Sequence, residues 1–199
     1  MLSGSFDPVT IGHAALADAA ADRADLILLV YSVRTLPKEG HGPPPLFSER
    51  DRLRALEAFA RSRRQVVPAL ASHGLLAEQA EAARRRFPSA RLFLVMGSDK
   101  AIQVLDPKWY ADREEVLNRL FAHARVLYAE RLGHEGLVEE RLALPENVPW
   151  RSSFERLEVS PEMAGVSSRD VRERLSRGED VSPLVPPEVH PFLPPPPRS

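Results

Sequence analysis

The sequence contains no cysteine, and this absence excludes several kinds of chemistry. Disulfides, cysteine-ligated zinc, iron–sulfur clusters and a thiol nucleophile all require that residue. No segment resembles a signal peptide, and no run reaches the ~18 apolar residues of a membrane-spanning helix. These absences predict a cytoplasmic protein with no membrane contact.

An excess of charge of one sign is also missing. The formal net charge is −1, so no overall field attracts nucleic acid, and no nucleic-acid partner is expected. With 199 residues, of which 43% are hydrophobic, one globular domain over residues 1–193 is expected. The tail "PFLPPPPRS" is not expected to form a helix or a central strand, and residues 194–199 are assigned to it. The sequence leaves the oligomeric state open, a homo-oligomer included.

Short apolar runs alternate with helical patterns along the chain. The runs "ADLILLVYS" (residues 24–32) and "ARLFLVMG" (residues 90–97) lack polar alternation, as buried parallel strands do. "QVVPAL", "ARVLYAE" and "FERLEV" are weaker strand candidates, and Ser48 is a candidate N-cap for the helix that follows it. The alternation predicts an α/β fold with a doubly wound parallel sheet. In such sheets, ligands bind at the carboxyl ends of the strands.

The stretch "GSFDPVTIGH" (residues 4–13) reads as a turn that leads into a helix. Gly4 permits a close backbone approach, and Asp7-Pro8 is a typical turn pair. Gly12 and His13 then fall in the first helical turn, where unpaired N–H groups favour a phosphate. His13 would add an imidazole donor beside that phosphate.

A second stretch, "GVSSRDVRERL" (residues 165–175), predicts another helix start that is open to an anion. Ser167 or Ser168 is the expected cap, and Arg172 lies one helical turn beyond Ser168. Arg172 can therefore add a charged donor to the same anion. Taken alone, this stretch is an ordinary capped helix.

Together the two stretches resemble the motifs of the adenylyltransferase-type nucleotidyltransferases, which are G-x-F-D-P followed by [HT]-x-G-H, and I-S-S-[TS]-x-[IV]-R. Arg169 stands where the second motif has Thr or Ser, so one hydroxyl is missing. The resemblance implies a Rossmann-like α/β fold. It also implies an Mg²⁺-dependent transfer of the adenylyl group from ATP to an acceptor phosphate, with release of pyrophosphate.

The resemblance also implies roles for individual residues. His13 and Arg172 are the expected catalytic residues: His13 would stabilise the α-phosphoryl oxygens, and Arg172 with Ser168 would hold the β- and γ-phosphates. The residues expected to bind ATP are Gly4, Ser5, Phe6, Thr10, Gly12, His13, Gly97, Asp99, Ser167, Ser168 and Arg172. Mg²⁺ would be held mainly by phosphates and water, and no protein ligand is assigned to it.

The segment "LFLVMGSDKAIQVLDPKWYADREEVL" resembles the pyridine mononucleotide adenylyltransferases, which have G-x-D after the fourth strand and a tryptophan beyond it. Gly97, Asp99 and Trp109 would correspond. An aspartate there can accept from ribose hydroxyls, and an indole can stack on a pyridine ring. Lys38, after the second strand, would reach the acceptor's phosphate. The expected acceptor-binding residues are thus Lys38, Asp99 and Trp109, and nicotinate mononucleotide is favoured, which implies a role in NAD biosynthesis.

Two alternatives stay open. The segment "ASHGLLAEQA" lacks the threonines of the pyridine enzymes' Tyr-Thr…Thr-Leu pattern. "PLFSERDR" and "HGLLAE" instead resemble phosphopantetheine adenylyltransferase, an enzyme of coenzyme A biosynthesis. The second alternative is a non-catalytic nucleotide-binding relative, because Arg169 and the missing threonines could mark a site that has lost activity.

Overall fold

The computed structural model of the protein describes residues 1–32 and 45–194. Lys38, one of the expected acceptor-binding residues, lies outside these ranges, as do residues 195–199 of the expected tail. Within the described residues, no helix combines the length and the apolar character needed to cross a membrane.

Six strands form one parallel sheet in the order β3-β2-β1-β4-β5-β6. The strands are β1 (Leu2–Gly4), β2 (Ile27–Ser32), β3 (Val66–Ala71), β4 (Leu92–Gly97), β5 (Ala124–Ala129) and β6 (Phe154–Arg156). Each strand candidate of the sequence is present, and the predicted doubly wound α/β fold is confirmed. The strand order reverses between β1 and β4, so the carboxyl ends of these two strands border the crevice where such sheets bind ligands.

Helices cover both faces of the sheet. They are α1 (Ile11–Ala21), α2 (Glu49–Arg61), α3 (Leu76–Arg86), α4 (Ser98–Leu105), α5 (Arg113–His123), α6 (Leu137–Leu142), α7 (Pro161–Gly165) and α8 (Ser168–Ser176). Neighbouring residues of β4 enter different cores: Val95 packs in the cluster that contains α1 and α2, while Leu94 packs in the cluster that contains α4 and α5. This alternation follows from the period of two in a strand.

Four 3-10 segments complete the described chain: Pro107–Trp109, Pro145–Ser153, Ser182–Leu184 and Pro187–Phe192. The last one corrects a prediction, because the first residues of "PFLPPPPRS" are helical rather than extended. Phe192 and Leu193 pack against the main core, and the buried Val189 anchors the same turn. Proline at the start of such a turn costs no hydrogen bond, since its missing N–H would have had no partner there.

Side-chain caps fix where the site-forming helices begin. The Ser48 hydroxyl accepts from the N–H of Asp51 at 3.2 Å, which confirms the predicted cap of α2. Thr10 caps α1 and Ser167 caps α8, each in a reciprocal capping box. Both of these helix starts lie beside the crevice between β1 and β4.

Candidate functional site

The turn that follows β1 has an unusual backbone conformation that hydrogen bonds to the Asp7 carboxylate stabilise. Phe6 is fully buried and has a φ of 45°, a left-handed conformation that costs a non-glycine residue about 1–3 kcal/mol. The Asp7-Pro8 peptide bond that follows is cis. The Asp7 carboxylate accepts hydrogen bonds from the N–H groups of Leu46 (3.0 Å) and Phe47 (2.9 Å). Asp7 therefore ties this turn to the residues that precede α2.

His13 is fixed by the cap of its own helix. The Thr10 N–H donates to His13 Nδ1 at 3.0 Å, and the Thr10 hydroxyl donates to the carbonyl of Val166 at 3.0 Å. Because Nδ1 accepts a hydrogen bond from a backbone N–H, the proton of the neutral imidazole lies on Nε2. Thr10 and His13 thus form a capping box that leaves one ring N–H as a donor.

The His13 imidazole is neutral at physiological pH. Burial, with a smaller contribution from the positive charge of Arg131, lowers its pKa from 6.5 to about 4. The ring of Phe6 lies beside it, with 5.1 Å between the ring centroids. The imidazole of the unfolded chain becomes protonated at a higher pH than the imidazole of the folded chain. The histidine therefore lowers the free energy of unfolding as pH falls from 6.5 towards 4.

The start of α8 docks on the same turn. The Ser167 N–H donates to the Asp170 carboxylate at 2.9 Å, and the Asp170 N–H donates to the Ser167 hydroxyl at 3.2 Å. Ser167, rather than Ser168, is therefore the cap. The Ser168 hydroxyl donates to the carbonyl of Pro8 at 2.7 Å, which joins the two motifs of the sequence.

Arg172 reaches the turn from the middle of α8. Its Nη1 donates to the carbonyl of Asp7 at 2.8 Å and lies 3.5 Å from the Asp7 carboxylate. Its Nε is buried and has no hydrogen-bond partner among the described residues. A buried guanidinium N–H without a partner is costly, so Arg172 retains a donor that an anion would satisfy.

Gly12 lies against backbone of the chain's other motif. A Cβ on Gly12 would be 2.5 Å from the carbonyl oxygen of Val166 and 3.0 Å from that of Met163. Real Cβ atoms do not approach so closely, and backbone cannot move aside as the end of a flexible side chain can. The structure therefore requires glycine here so that α1 can pack against the link between α7 and α8.

Arg131, which the sequence analysis missed, bridges the two sides of the crevice. It follows β5, and its guanidinium donates to the Asp99 carboxylate at 2.8 Å and to the Gly165 carbonyl at 2.6 Å. A Cβ on Gly97 would lie 3.0 Å from Asp99 Oδ1 and 3.4 Å from Arg131 Cδ, so glycine also gives this bridge room. Its position two residues after a buried strand was the only signal in the sequence.

The structure brings all of the predicted ATP-binding residues into this one region. They lie at or after the end of β1 (Gly4, Ser5, Phe6, Thr10, Gly12 and His13), at or after the end of β4 (Gly97 and Asp99), and at the cap or within α8 (Ser167, Ser168 and Arg172). The bonds of Thr10 to Val166, of Ser168 to Pro8 and of Arg131 to Gly165 join these groups. His13, Arg131 and Arg172 lie along the resulting crevice and carry nitrogen donors. Such a set of donors favours the binding of a polyanion.

Trp109 lines a separate pocket, to which residues of α4 also contribute. This pocket is lined by Gly74, Leu75, Leu76, Ala77, Lys100, Gln103, Val104, Trp109, Tyr110, Val116 and Leu120. The Tyr110 hydroxyl donates to the carbonyl of Val104 at 2.7 Å, which holds the chain next to Trp109 against α4. The partly exposed indole therefore forms a wall against which a flat ring can stack.

A buried amide positions the opposite wall of the pocket. The Ser3 hydroxyl on β1 donates to Gln79 Oε1 at 2.7 Å, and Gln79 Nε2 donates to the carbonyl of His73 at 2.8 Å. The Ser32 hydroxyl, at the end of β2, donates to the same carbonyl at 3.0 Å. The turn before α3 is thus fixed to two central strands. Nothing in the sequence distinguished Gln79 from a solvent-facing helix residue.

The similarity to known proteins covers most of the chain. The model of the cytidylyltransferase-like family matches residues 1–174. A probable nicotinate-nucleotide adenylyltransferase of Anaeromyxobacter sp. (strain K) is 31% identical over 95% of this chain and 89% of its own length. One of Exiguobacterium sibiricum, also named probable, is 23% identical over 97% of this chain and 94% of its own length. The chain therefore belongs to the cytidylyltransferase-like family of nucleotidyltransferases.

Proposed function

We propose that the protein transfers the adenylyl group of ATP to nicotinate mononucleotide, with release of pyrophosphate, as a step in NAD biosynthesis. One observation carries the proposal: consecutive residues of α4 border two different sites. Asp99 belongs to the crevice through its bond to Arg131, and Lys100 lines the pocket that contains Trp109. A triphosphate in the crevice and a pyridine ring in the pocket would thus both lie next to the first turn of α4.

The chemistry requires a single displacement. A phosphate oxygen of the acceptor attacks the α-phosphorus of ATP, one P–O bond forms, and the bond to the leaving pyrophosphate breaks. His13 would donate its Nε2–H to an α-phosphoryl oxygen as charge develops, and the free Nε–H of Arg172 would hold the pyrophosphate. No covalent intermediate is needed, because positioning and charge stabilisation lower the barrier of phosphoryl transfer.

Mg²⁺ dependence belongs to the same proposal. Among residues 1–32 and 45–194, no group of three His, Asp or Glu side chains is arranged to hold a metal ion. The carboxylates of Asp7 and Asp99 are already bonded to protein donors. Mg²⁺ would therefore arrive on ATP with phosphate and water as its ligands, and it would neutralise phosphate charge. The cytoplasmic location and the lack of a nucleic-acid partner stay predictions, and the oligomeric state stays open.

Replacing Arg172 with alanine is expected to raise the KM for ATP by about 10- to 100-fold, because hydrogen bonds to charged groups contribute about 1.5–3 kcal/mol. A smaller loss of kcat is expected, since Arg172 also supports the turn at Asp7. Arg174→Ala is the matched control: this arginine lies on the same helix but faces Glu179, 3.9 Å away. Initial rates at varied ATP would test both variants, and unchanged ATP kinetics in Arg172→Ala would remove α8 from the site.

Replacing Trp109 with alanine is expected to weaken the mononucleotide by about 1–3 kcal/mol, the range for loss of base–aromatic stacking, and to leave the KM for ATP nearly unchanged. Tryptophan fluorescence offers a direct measurement, since the chain has 2 tryptophans. Trp150→Phe would remove the buried one and leave the signal of Trp109 alone. An equal loss of affinity for ATP and acceptor would contradict the stacking role.

A panel of acceptors separates the proposal from its alternatives. Pyrophosphate release would be measured with ATP and nicotinate mononucleotide, nicotinamide mononucleotide or phosphopantetheine. Turnover with phosphopantetheine alone would assign the chain to coenzyme A biosynthesis. Binding of ATP without turnover of any acceptor would favour a non-catalytic relative.

A further inference from the structure

Lys100 is the one cationic side chain among the described residues that line the pocket beside Trp109. Lys100 lies in the first turn of α4 and is partly buried, and its Nζ donates to Gln103 Oε1 at 3.1 Å. Most of the remaining lining is apolar, including Leu76, Val104 and Trp109. An ammonium group in such surroundings interacts more strongly with a carboxylate than it would in water.

The two pyridine mononucleotides differ in only one group. Nicotinate carries a carboxylate on its ring and nicotinamide carries an amide, and the two groups are almost the same in size and shape. Packing against Trp109 therefore cannot separate them, and discrimination must come from charge or from hydrogen-bond donors. Gln103, which can offer either an amide donor or an acceptor, does not favour the charged ring.

We propose that Lys100 is the specificity-determining residue that binds the ring carboxylate and makes nicotinate mononucleotide the preferred acceptor. This inference rests on the proposed function. With the pyridine ring on the indole of Trp109, the ring substituent lies in the pocket that Lys100 lines. The ammonium then donates to the carboxylate while Gln103 keeps the lysine's chain in place. An amide in the same position offers the ammonium a weaker, uncharged acceptor.

Lys108 provides a matched control. Its Nζ lies 5.2 Å from the centroid of the Trp109 ring, so it also contacts the indole. However, it pairs with Asp106 at 3.6 Å, its side chain is 51% exposed, and it does not line the pocket. The two lysines therefore lie near the same tryptophan, and of the two only Lys100 lines the pocket.

The test compares Lys100→Met with Lys108→Met through kcat/KM for each pyridine mononucleotide. In Lys100→Met, the preference for nicotinate over nicotinamide is expected to fall by about 10- to 100-fold, the loss expected for one charged hydrogen bond, with the KM for ATP unchanged. Lys108→Met should keep the wild-type preference. Lys100→Arg retains a cation and should keep most of the preference for nicotinate. Its result would show that the loss in Lys100→Met comes from the missing charge and not from a folding defect.

Three results would overturn the inference. An unchanged preference in Lys100→Met, or an equal loss for both acceptors, would show that Lys100 does not read the ring substituent, although the proposed function would stand. A preference lost to the same extent in Lys108→Met would assign the effect to general charge around Trp109. If the wild type turns over neither pyridine mononucleotide, the proposed function fails and this inference fails with it.

Discussion

Replacing His13 with alanine is expected to lower kcat by about 10²-fold or more, the loss that follows removal of one preorganised donor to a developing oxyanion. The expectation rests on the ring's tautomer. Nδ1 accepts a hydrogen bond from the Thr10 N–H at 3.0 Å, so Nε2 carries the ring proton and can donate a hydrogen bond to a phosphoryl oxygen. Because burial lowers the pKa of His13 to about 4, the variant removes a neutral hydrogen-bond donor rather than a positive charge.

The same substitution also removes part of a helix cap, and the control must separate the two effects. Loss of a capping interaction typically costs about 1 kcal/mol. His13→Gln keeps a side-chain acceptor of the type that completes a capping box, so it should restore most of the lost stability. It removes the imidazole, so activity should stay low. Melting temperatures and single-turnover rates of both variants would distinguish the contributions, and near wild-type turnover in His13→Ala would show that the assigned role is wrong.

Much of the fold could be predicted because its signals are local. Buried parallel strands are read from continuous apolar runs, and β2 and β4 end at Ser32 and Gly97, as the runs do. A helix cap is predicted from a hydroxyl residue that immediately precedes a helical pattern, as at Ser48. The alternation predicted that ligands bind at the carboxyl ends of the strands, and the strand order in the structure then places the crevice between β1 and β4.

The missed residues depend on contacts between distant parts of the chain. Arg131 meets Asp99 and the carbonyl of Gly165 only because β4, β5 and α7 end near one another. Gln79 bonds to Ser3, which lies 76 positions away in the sequence. Neither partnership leaves a periodicity or a turn signature. Lys38 stays a prediction, because it lies outside the described residues.

Gly12 is a different case, because a motif identified the position and the structure adds a reason for it. The motif places Gly12 beside a phosphate, and its position at the start of α1 is compatible with that. The backbone of Met163 and Val166, however, already occupies the space that a Cβ would need. The requirement for glycine at this position therefore comes from packing between α1 and the second motif.

Replacing Gly12 with alanine is accordingly expected to lower the free energy of unfolding by about 3 kcal/mol, the upper part of the usual range for overpacking, since only backbone could move aside. The added Cβ would lie 2.5 Å from the Val166 carbonyl oxygen, which also accepts the Thr10 hydroxyl. The shift would thus disturb the cap that orients His13, and kcat should fall as well. Urea denaturation with a fixed m value would measure the stability change.

Gly165→Ala is the matched control at the same helix junction. A Cβ on Gly165 meets nothing within 4 Å, so this variant should stay within about 1 kcal/mol of the wild type. Both substitutions add one methyl group where α1 meets α7, and only the one at Gly12 meets backbone oxygens. If Gly12→Ala were as stable as Gly165→Ala but raised the KM for ATP, the glycine would be required by the ligand rather than by the helix contact. We expect the reverse order, with the loss of stability present in the absence of any nucleotide.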